Sequence, residues 1–246
     1  MKVFVTGATG FVGSAVTRDL IDHGHQVLGL ARSQESAVAV EQMGAEALRG
    51  DLTDHEALRA GVERAEAVVH AGFLHDFTRF EEACAIARDA IDVLGTAIGA
   101  TGKPMVVTAG LAFLDAANRL AVETDRAFPS SADYPRASEE AAAALSARGI
   151  PTSVMRLPPS VHGAGDHGFV PMLIDFARRS GRSVYVGAGE NAWPAVHVGD
   201  AARAYRRAVE QGPSAETFHA VGEEGVPFRA IAEAIAEGLD VPCVSL

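Results

Sequence analysis

The sequence predicts an α/β fold built on a doubly wound parallel sheet, with a small C-terminal cap over the carboxyl ends of the strands. Apolar strand-like runs alternate with amphipathic helical stretches through the first 160 residues. Such alternation places buried parallel strands between two layers of helices. A Gly-rich segment lies at the first junction of strand and helix, and a Pro- and Gly-rich loop begins after Arg156.

The individual elements follow from local patterns. Strands are predicted at Lys2–Thr6, Gln26–Ala31, Glu46–Arg49, Ala67–His70, Met105–Thr108 and Thr152–Arg156, and helices at 11–23, 34–43, 54–64, 78–100 and 133–148. The connection 109–132 lacks clear periodicity, and connections of that length usually carry binding or catalytic groups. Later elements are predicted at 169–180, 183–186, 200–210, 217–221 and 227–238, followed by a last short strand. We therefore divide the chain into a core, 1–160, and a smaller region, 161–246, which is interleaved with the core and adds late strands and helices to it.

The Gly-rich segment reads TGATGFVG at residues 6–13, directly after an apolar run. Its first glycine allows a tight turn, the second lets the backbone approach a pyrophosphate, and the third packs the helix against the strand. The free N–H groups at the start of the helix would then receive the phosphates. The strand before the motif and the helix after it favour a Rossmann dinucleotide site over an ordinary glycine turn. The predicted contacts are Gly7, Thr9, Gly10, Phe11, Val12 and Gly13.

The end of the second predicted strand indicates which dinucleotide is bound. Proteins that bind NAD usually place an acidic residue there to bond the ribose hydroxyls, whereas this chain has Arg32 followed by Ser33. A guanidinium matches a 2′-phosphate and brings no negative charge to repel it. We therefore predict NADP(H) rather than NAD(H), with both residues as contacts. The alternative is a solvated arginine at a strand end.

Two further strand ends are predicted to line the same pocket. Asp51, followed by Leu52, could accept a hydrogen bond from the adenine amino group, or it could cap the next helix, a role open also to Thr53 or Asp54. Small residues then end the fourth strand and let the cofactor lie close. The predicted contacts there are Ala71, Gly72 and Phe73, while His70 is expected to be a satisfied strand-end histidine.

Composition excludes several classes of protein. The net charge of −11 argues against a surface for nucleic acid or for an anionic membrane. Two cysteines are too few and too distant to suggest a disulfide framework or a metal site, so no metal is expected. The chain opens with a strand instead of a leader sequence, and no apolar run approaches the ~18 to 20 residues of a membrane span. We expect a cytoplasmic protein.

Together these segments resemble the short-chain dehydrogenase/reductase superfamily, in its extended or atypical branch of NAD(P)-dependent epimerases and dehydratases. The resemblance runs from residue 1 to about residue 225. It rests on TGATGFVG at 6–13, GDL at 50–52, HAGF at 70–73, VVTAG at 106–110, RLPPSVHG at 156–163 and AVHVGDAARAY at 195–205. It implies that Pro158, Pro159, Ser160 and Val161 form the loop along the nicotinamide, unless they are only a proline-stiffened connection.

The resemblance also implies a catalytic set, which this chain has only in part. The superfamily uses a Ser or Thr after the fifth strand and a Tyr with a Lys four residues later, on one face of a helix. Here Thr108 and Tyr134 take the first two places, as both catalytic and cofactor-binding residues, but Ser138 stands at the lysine position. Arg136 would lie about 200° around a helix from the tyrosine and could not easily replace the lysine. Tyr134 could instead be a structural residue at a helix start.

Other polar residues are candidates for the same site. His75 or Asp76 could relay a proton if the tyrosine does not. The loop residues His162, Asp166 and His167 are expected at the surface or against the substrate. Other expected roles are a helix cap for Asp200, a packed strand-end place for His197 and first-turn acids for Glu139 and Glu140.

The leading functional hypothesis is an NADPH-dependent oxidoreductase acting on a small carbonyl or hydroxyl substrate. An epimerase or dehydratase that oxidises and reduces its cofactor within one turnover, or a non-catalytic NADP-binding sensor or scaffold, stays open. Members of the superfamily often dimerise through the helices predicted at 78–100 and 133–148, so a homodimer is expected.

Overall fold

A computed structural model describes residues 1–111, 114–116 and 119–246. The predicted connection 109–132 therefore falls partly outside the described residues, at 112, 113, 117 and 118. The strands are β1 (Lys2–Thr6), β2 (Gln26–Ala31), β3 (Glu46–Arg49), β4 (Ala67–His70), β5 (Met105–Gly110), β6 (Thr152–Leu157), β7 (Ser160–His162), β8 (Ser183–Tyr185), β9 (Ala192–His197), β10 (Thr217–His219), β11 (Glu223–Pro227) and β12 (Cys243–Ser245). The helices are α1 (Phe11–Asp22), α2 (Gln34–Gln42), α3 (His55–Glu63), α4 (Phe80–Ile98), α5 (Ser138–Ala147), α6 (Phe169–Ser180), α7 (Val198–Glu210) and α8 (Phe228–Leu239).

The central sheet confirms the predicted α/β class. Its seven strands run in the order β10-β6-β5-β4-β1-β2-β3, and every neighbouring pair is parallel. The chain leaves β1 in one direction to make β2 and β3, and in the other to make β4, β5 and β6. This reversal opens a crevice at the carboxyl ends of β1 and β4, which is where ligands bind in sheets of this kind.

Alternation along β1 shows how both faces of the sheet are buried. Val3 and Val5 point into one core, which α1 and α7 cover, and Phe4 points into the other, which α3, α4 and α5 cover. All three side chains are fully buried. Successive strand residues face opposite sides, so a continuous apolar run of this kind suits a central parallel strand.

Smaller sheets complete the C-terminal half. β9 lies between β7 and β11, and β8 pairs with β12. The sequence did not predict β7, β9 or β11. The ring of Trp193 on β9 stacks on Phe169 at 4.7 Å and lies 6.2 Å from Phe228, which joins this sheet to α6 and α8.

The largest correction concerns α5, which begins at Ser138 and not at residue 133. Tyr134 therefore precedes the helix by four residues and does not share a helical face with Ser138.

Among the described residues, no helix combines the length and the apolarity that a membrane crossing requires.

Candidate active site

The Gly-rich segment forms the tight turn between β1 and α1. Gly7 has φ +71°, and a Cβ placed there would lie 2.7 Å from the carbonyl oxygen of Ala71. A Cβ on Gly13 would lie only 2.0 Å from the carbonyl oxygen of Gly7. Glycine is thus required at the first position by the backbone conformation and at both positions by close packing. The loop is held between α1 and the end of β4.

The start of α1 is left open toward the crevice. Gly10 is the N-cap residue and has no side chain to cap the helix, and the first turn contains no acidic residue. The peptide N–H of Gly10 donates to the carbonyl of Gly7 at 2.9 Å, which closes the turn. An uncapped helix start with its positive dipole end exposed suits the phosphates of a dinucleotide. Thr9, Phe11 and Val12 lie in or beside this turn, and their contacts to a cofactor stay a prediction.

Arg32 stands at the tip of β2, exposed and, within the described part of the chain, without an ion pair. Ser33 is already engaged, since it caps α2 by accepting from the peptide N–H of Ser36 at 3.1 Å. At the neighbouring tip of β3, the Asp51 carboxylate accepts from the peptide N–H and the hydroxyl of Thr53, both at 2.7 Å. These hydrogen bonds hold the pKa of Asp51 below its usual value, and Arg32 adds to the effect.

The cap of α3 belongs to Asp54, which accepts from the peptide N–H of Ala57 at 3.0 Å. Asp51 is therefore not the cap and stays exposed at the tip of β3. Leu52, beside it, is buried against Gly72, where an added Cβ would lie 3.1 Å from the leucine side chain.

His70 is the satisfied strand-end histidine that the sequence predicts. It is 2 % exposed, and its Nδ1 lies 2.9 Å from the hydroxyl of Thr6. Burial lowers its pKa to about 4, so the ring is neutral at pH 7. The same threonine hydroxyl accepts from the peptide N–H of Gly72 at 3.2 Å. These contacts fix the end of β4, including Ala71, beside the Gly-rich turn.

Thr108 is half-buried, and its hydroxyl is engaged by two protein groups. It donates to the carbonyl of His70 at 2.8 Å and lies 2.6 Å from the hydroxyl of Tyr205 on α7. Tyr205 is fully buried, and burial raises the pKa of its phenol. Sequence reasoning did not single out this tyrosine. The predicted role of Thr108 in polarising a substrate carbonyl stays a prediction, since both of its hydrogen bonds are to protein atoms.

Tyr134 lies half-buried in the segment before α5. Burial raises the pKa of its phenol, and the guanidinium of Arg136 opposes that rise. That guanidinium lies over two aromatic rings, 4.6 Å from the centre of Phe73 and 5.2 Å from the centre of Phe80. Because the helix begins only at Ser138, the predicted separation of about 200° does not apply, and Arg136 is near enough to act on the tyrosine.

His75 completes this side of the crevice. Its ring packs edge-on against Phe73 with 5.2 Å between ring centres. Partial desolvation lowers its pKa, and Arg136 lowers it further. Asp76 is explained by local structure, since its carboxylate accepts from the peptide N–H of Thr78 at 3.0 Å and from its hydroxyl at 2.6 Å. Of these two proposed relays, His75 is the one beside the tyrosine segment.

Behind this segment lies a buried ion pair that sequence reasoning missed. Arg156 is 2 % exposed and donates to both carboxylate oxygens of Glu139, at 2.8 and 2.7 Å. It also donates to the carbonyl of Asp125 at 2.8 Å and lies 3.0 Å from Nε2 of His219. Glu139 is thus a structural partner of β6 rather than merely a first-turn acid. Glu140 instead accepts from the hydroxyl and the peptide N–H of Ser130.

The predicted nicotinamide loop connects β6 to β7. Pro158 and Ser160 are buried, Pro159 and Val161 are half-buried, and Val161 packs against the core beneath α1 and α7. Because β7 pairs with β9, the loop is anchored at both ends by strands.

The remaining histidines form no metal site among the described residues. His162 packs edge-on against His197 and lies 3.7 Å from a carboxylate oxygen of Glu223. His197 is the N-cap of α7, accepting from the peptide N–H of Gly199 at 3.1 Å. The predicted cap role of Asp200 is wrong. Asp200 lies in the first turn instead and pairs with Arg203 at 2.9 Å.

Asp166 and His167 lie in the turn before α6. The carboxylate of Asp166 accepts from the peptide N–H of Gly168 at 2.7 Å. The exposed ring of His167 lies 6.0 Å from that of Phe11, at the opening of α1.

Sheet order, Gly-rich turn and open helix start together define a dinucleotide-binding α/β protein. Comparison with known proteins agrees, since residues 3–220 match the NAD dependent epimerase/dehydratase family. The chain belongs to this family, whose members are NAD(P)-dependent oxidoreductases and epimerases. The predicted resemblance to the extended short-chain dehydrogenase/reductase branch is thereby confirmed.

Individual relatives cover nearly the whole chain. An uncharacterised protein of Saccharomyces cerevisiae is 43% identical over 100% of this chain and 83% of its own length. A 2-alkyl-3-oxoalkanoate reductase of Stenotrophomonas maltophilia is 30% identical over 99% of this chain and 77% of its own. The structure of a nucleoside-diphosphate-sugar epimerase from Pseudomonas aeruginosa aligns with a TM-score of 0.80 at 17% identity, covering 100% of this chain and 81% of that one. This last similarity shows the fold.

Proposed function

We propose that the protein is an NADPH-dependent oxidoreductase that reduces the carbonyl group of a small molecule. The observation that carries the proposal is Tyr134, a half-buried phenol with a cation nearby, in the segment that leads from the crevice into α5. The related reductase of S. maltophilia, named for an oxoalkanoate, supports a carbonyl substrate.

The preference for NADP(H) is argued from Arg32. It stands exposed at the tip of β2, free of any carboxylate partner in the described part of the chain, where a 2′-phosphate would lie. A guanidinium binds phosphate through two parallel hydrogen bonds. The nearby Asp51 holds its charge toward Thr53 and does not form an ion pair with this arginine.

The residues present fit a dinucleotide and a proton donor. Gly7, Gly10 and Gly13 keep the turn free of side chains, and α1 begins without a cap. When bound, the reduced dinucleotide supplies the hydride. The pKa of Tyr134 is raised, so its phenol carries a proton at neutral pH and can donate it to a carbonyl oxygen. Thr108 would polarise that oxygen only if it exchanged one of its internal hydrogen bonds.

The test follows oxidation of NADPH and of NADH against a panel of small ketones. Replacing Tyr134 by Phe should lower turnover about 100-fold or more, while folding and NADPH binding stay unchanged. Tyr185→Phe is the matched control, because Tyr185 lies on β8 with Arg229 5.6 Å above its ring. Equal turnover in wild type and Tyr134→Phe would remove the tyrosine from the mechanism. Cofactor that stays bound through purification, without net consumption, would favour the epimerase or dehydratase alternative, and binding without any turnover would favour the sensor.

Cellular setting and assembly belong to the same proposal. Cys84 and Cys243 are both free thiols, which suits the reducing cytosol.

We expect a homodimer formed through the outer faces of α4 and α5, where Ala85, Ala143 and Ala144 are exposed and permit close helix approach. A monomeric mass by light scattering would refute the dimer.

A further inference from the structure

Arg136 is a half-buried cation without a counter-ion in the described part of the chain. Within the described residues its guanidinium forms no ion pair and no hydrogen bond to the protein, although the chain carries a net charge of −11. Its position over the rings of Phe73 and Phe80 covers the plane of the guanidinium. The N–H groups lie along the edge of that plane, so they stay available to a ligand.

Glu139, an acidic residue near Tyr134, already forms an ion pair with Arg156. Glu139 acts electrostatically on Tyr134, but both of its carboxylate oxygens accept from Arg156. The group beside Arg136 on the other side is His75, whose pKa is lowered by desolvation and by that guanidinium. Among the residues that the structure describes, no carboxylate pairs with Arg136, so its positive charge stays unneutralised beside Phe73, just after β4.

Lysine cannot supply this charge. The chain contains two lysines, Lys2 and Lys103. Lys2 opens β1 and pairs with Glu46, and Lys103 lies just before β5 and donates to the carbonyl of Val62 at 2.8 Å. Both are at the amino ends of parallel strands, on the opposite edge of the sheet from the crevice. Among the described residues, Arg136 is a cation whose charge acts on Tyr134.

We propose that Arg136 binds a carboxylate of the substrate, so that the preferred substrates are oxo acids whose ketone lies at Tyr134. The planar fork of a guanidinium matches the two oxygens of a carboxylate, and the aromatic rings hold that fork in one orientation. This inference rests on the proposed reductase function for its account of turnover, but the binding of a carboxylate can be measured without turnover.

The first measurement is binding of hexanoate and of its neutral counterpart hexanamide to the NADP⁺-loaded protein, by calorimetry. Wild type should bind hexanoate more tightly than the amide. Arg136→Gln should weaken hexanoate about 10- to 100-fold and leave the amide unchanged, while Arg136→Lys, which keeps the charge but loses the fork, should fall between. Arg88→Gln is the control, because it removes the same charge from the exposed face of α4.

The second measurement compares NADPH oxidation with 2-, 3-, 4- and 5-oxo acids and with their methyl esters. The acids should have the higher kcat/KM, and Arg136→Gln should abolish the difference mainly through KM. If hexanoate does not bind, or binds equally well to Arg136→Gln, the carboxylate site is refuted. If the arginine-dependent binding is found and no oxo compound is reduced, the carboxylate site stands and the reductase proposal fails.

Discussion

Removing one partner of the ion pair between Arg156 and Glu139 should be among the most destabilising single substitutions in this fold. The guanidinium is 2 % exposed and the carboxylate 20% exposed, and two hydrogen bonds of 2.8 and 2.7 Å join them. Glu139→Ala would leave a fully buried positive charge without its counter-ion. Two neutral contacts would remain, the carbonyl of Asp125 and the ring of His219.

The expected cost can be estimated from similar cases. Removing one partner of a buried pair typically costs about 3–5 kcal/mol, because the other charge is left uncompensated. The two remaining contacts of Arg156 place the value at the lower end, about 3 kcal/mol. For a chain of this length the entropy of unfolding is roughly 0.5 kcal/mol per degree, so Tm should fall by about 6 °C. Replacing both partners, as in Glu139→Ala with Arg156→Met, should cost less than the sum of the single changes.

Urea and thermal unfolding of the four proteins in this double-mutant cycle, followed by circular dichroism, measure the free energies and the shift in Tm. The control is Asp92→Ala, which breaks the exposed pair with Arg148 between α4 and α5 and should cost less than about 1 kcal/mol. The ion pair does not hold α5 against the central sheet if Glu139→Ala costs no more stability than that control. The same follows if the free-energy changes of the two single substitutions sum to that of the double substitution.

Three further outcomes are expected. Arg32→Ala should weaken NADPH binding by about 1.5–3 kcal/mol and leave NADH binding unchanged, as fluorescence titration would show; equal losses for both cofactors would contradict the assignment. His70 has a folded pKa of about 4, below its usual 6.5. Because the unfolded state therefore takes up a proton first, the free energy of unfolding should fall by about 3 kcal/mol as pH drops from 6.5 to 4. Denaturation curves of wild type and His70→Gln should diverge across that pH range, and parallel curves would refute the prediction. Gly13→Ala should cost at least about 1–3 kcal/mol and abolish dinucleotide binding, because its Cβ would meet the backbone of Gly7, whereas Gly238→Ala, with open space around its Cβ, should be harmless.

The parallel core was predictable because each of its signals is local. The strand at Lys2–Thr6 is a buried apolar run, and the glycines that follow it have the spacing of a dinucleotide-binding turn, at positions where the structure leaves no room for a Cβ. The C-terminal strands β7, β9 and β11 were missed for a physical reason. Pro194 interrupts β9 and Gly225 lies in β11, and both residue types argue against a strand, yet pairing within a small sheet at the margin of the fold tolerates them.

Polar contacts between residues far apart in the chain could not be predicted from a single sequence. Arg156 and Glu139 are separated by 17 residues, and Thr108 and Tyr205 by 97. Nothing in the spacing of either pair marks them as partners, because they are brought together by adjacent strands and by the helix that covers them. An arginine within the apolar run of a predicted parallel strand, here Arg156 near the carboxyl end of β6, was itself a signal, since a buried charge requires a partner.

The position of Arg136, by contrast, could have been read from its neighbours. Pro135 disfavours a helical conformation for the residue before it, so Tyr134 was a poor candidate for a place inside α5. In an extended segment, residues two apart point to the same side, whereas in a helix they diverge. The start of α5 therefore matters for the chemistry. A helix from 133 would turn the guanidinium away from the phenol, whereas with the observed start at Ser138 the charge of Arg136 acts on Tyr134. A guanidinium in that place is permanently charged and presents a planar fork of donors, so it favours recognition of an anion where a lysine would favour a single point contact.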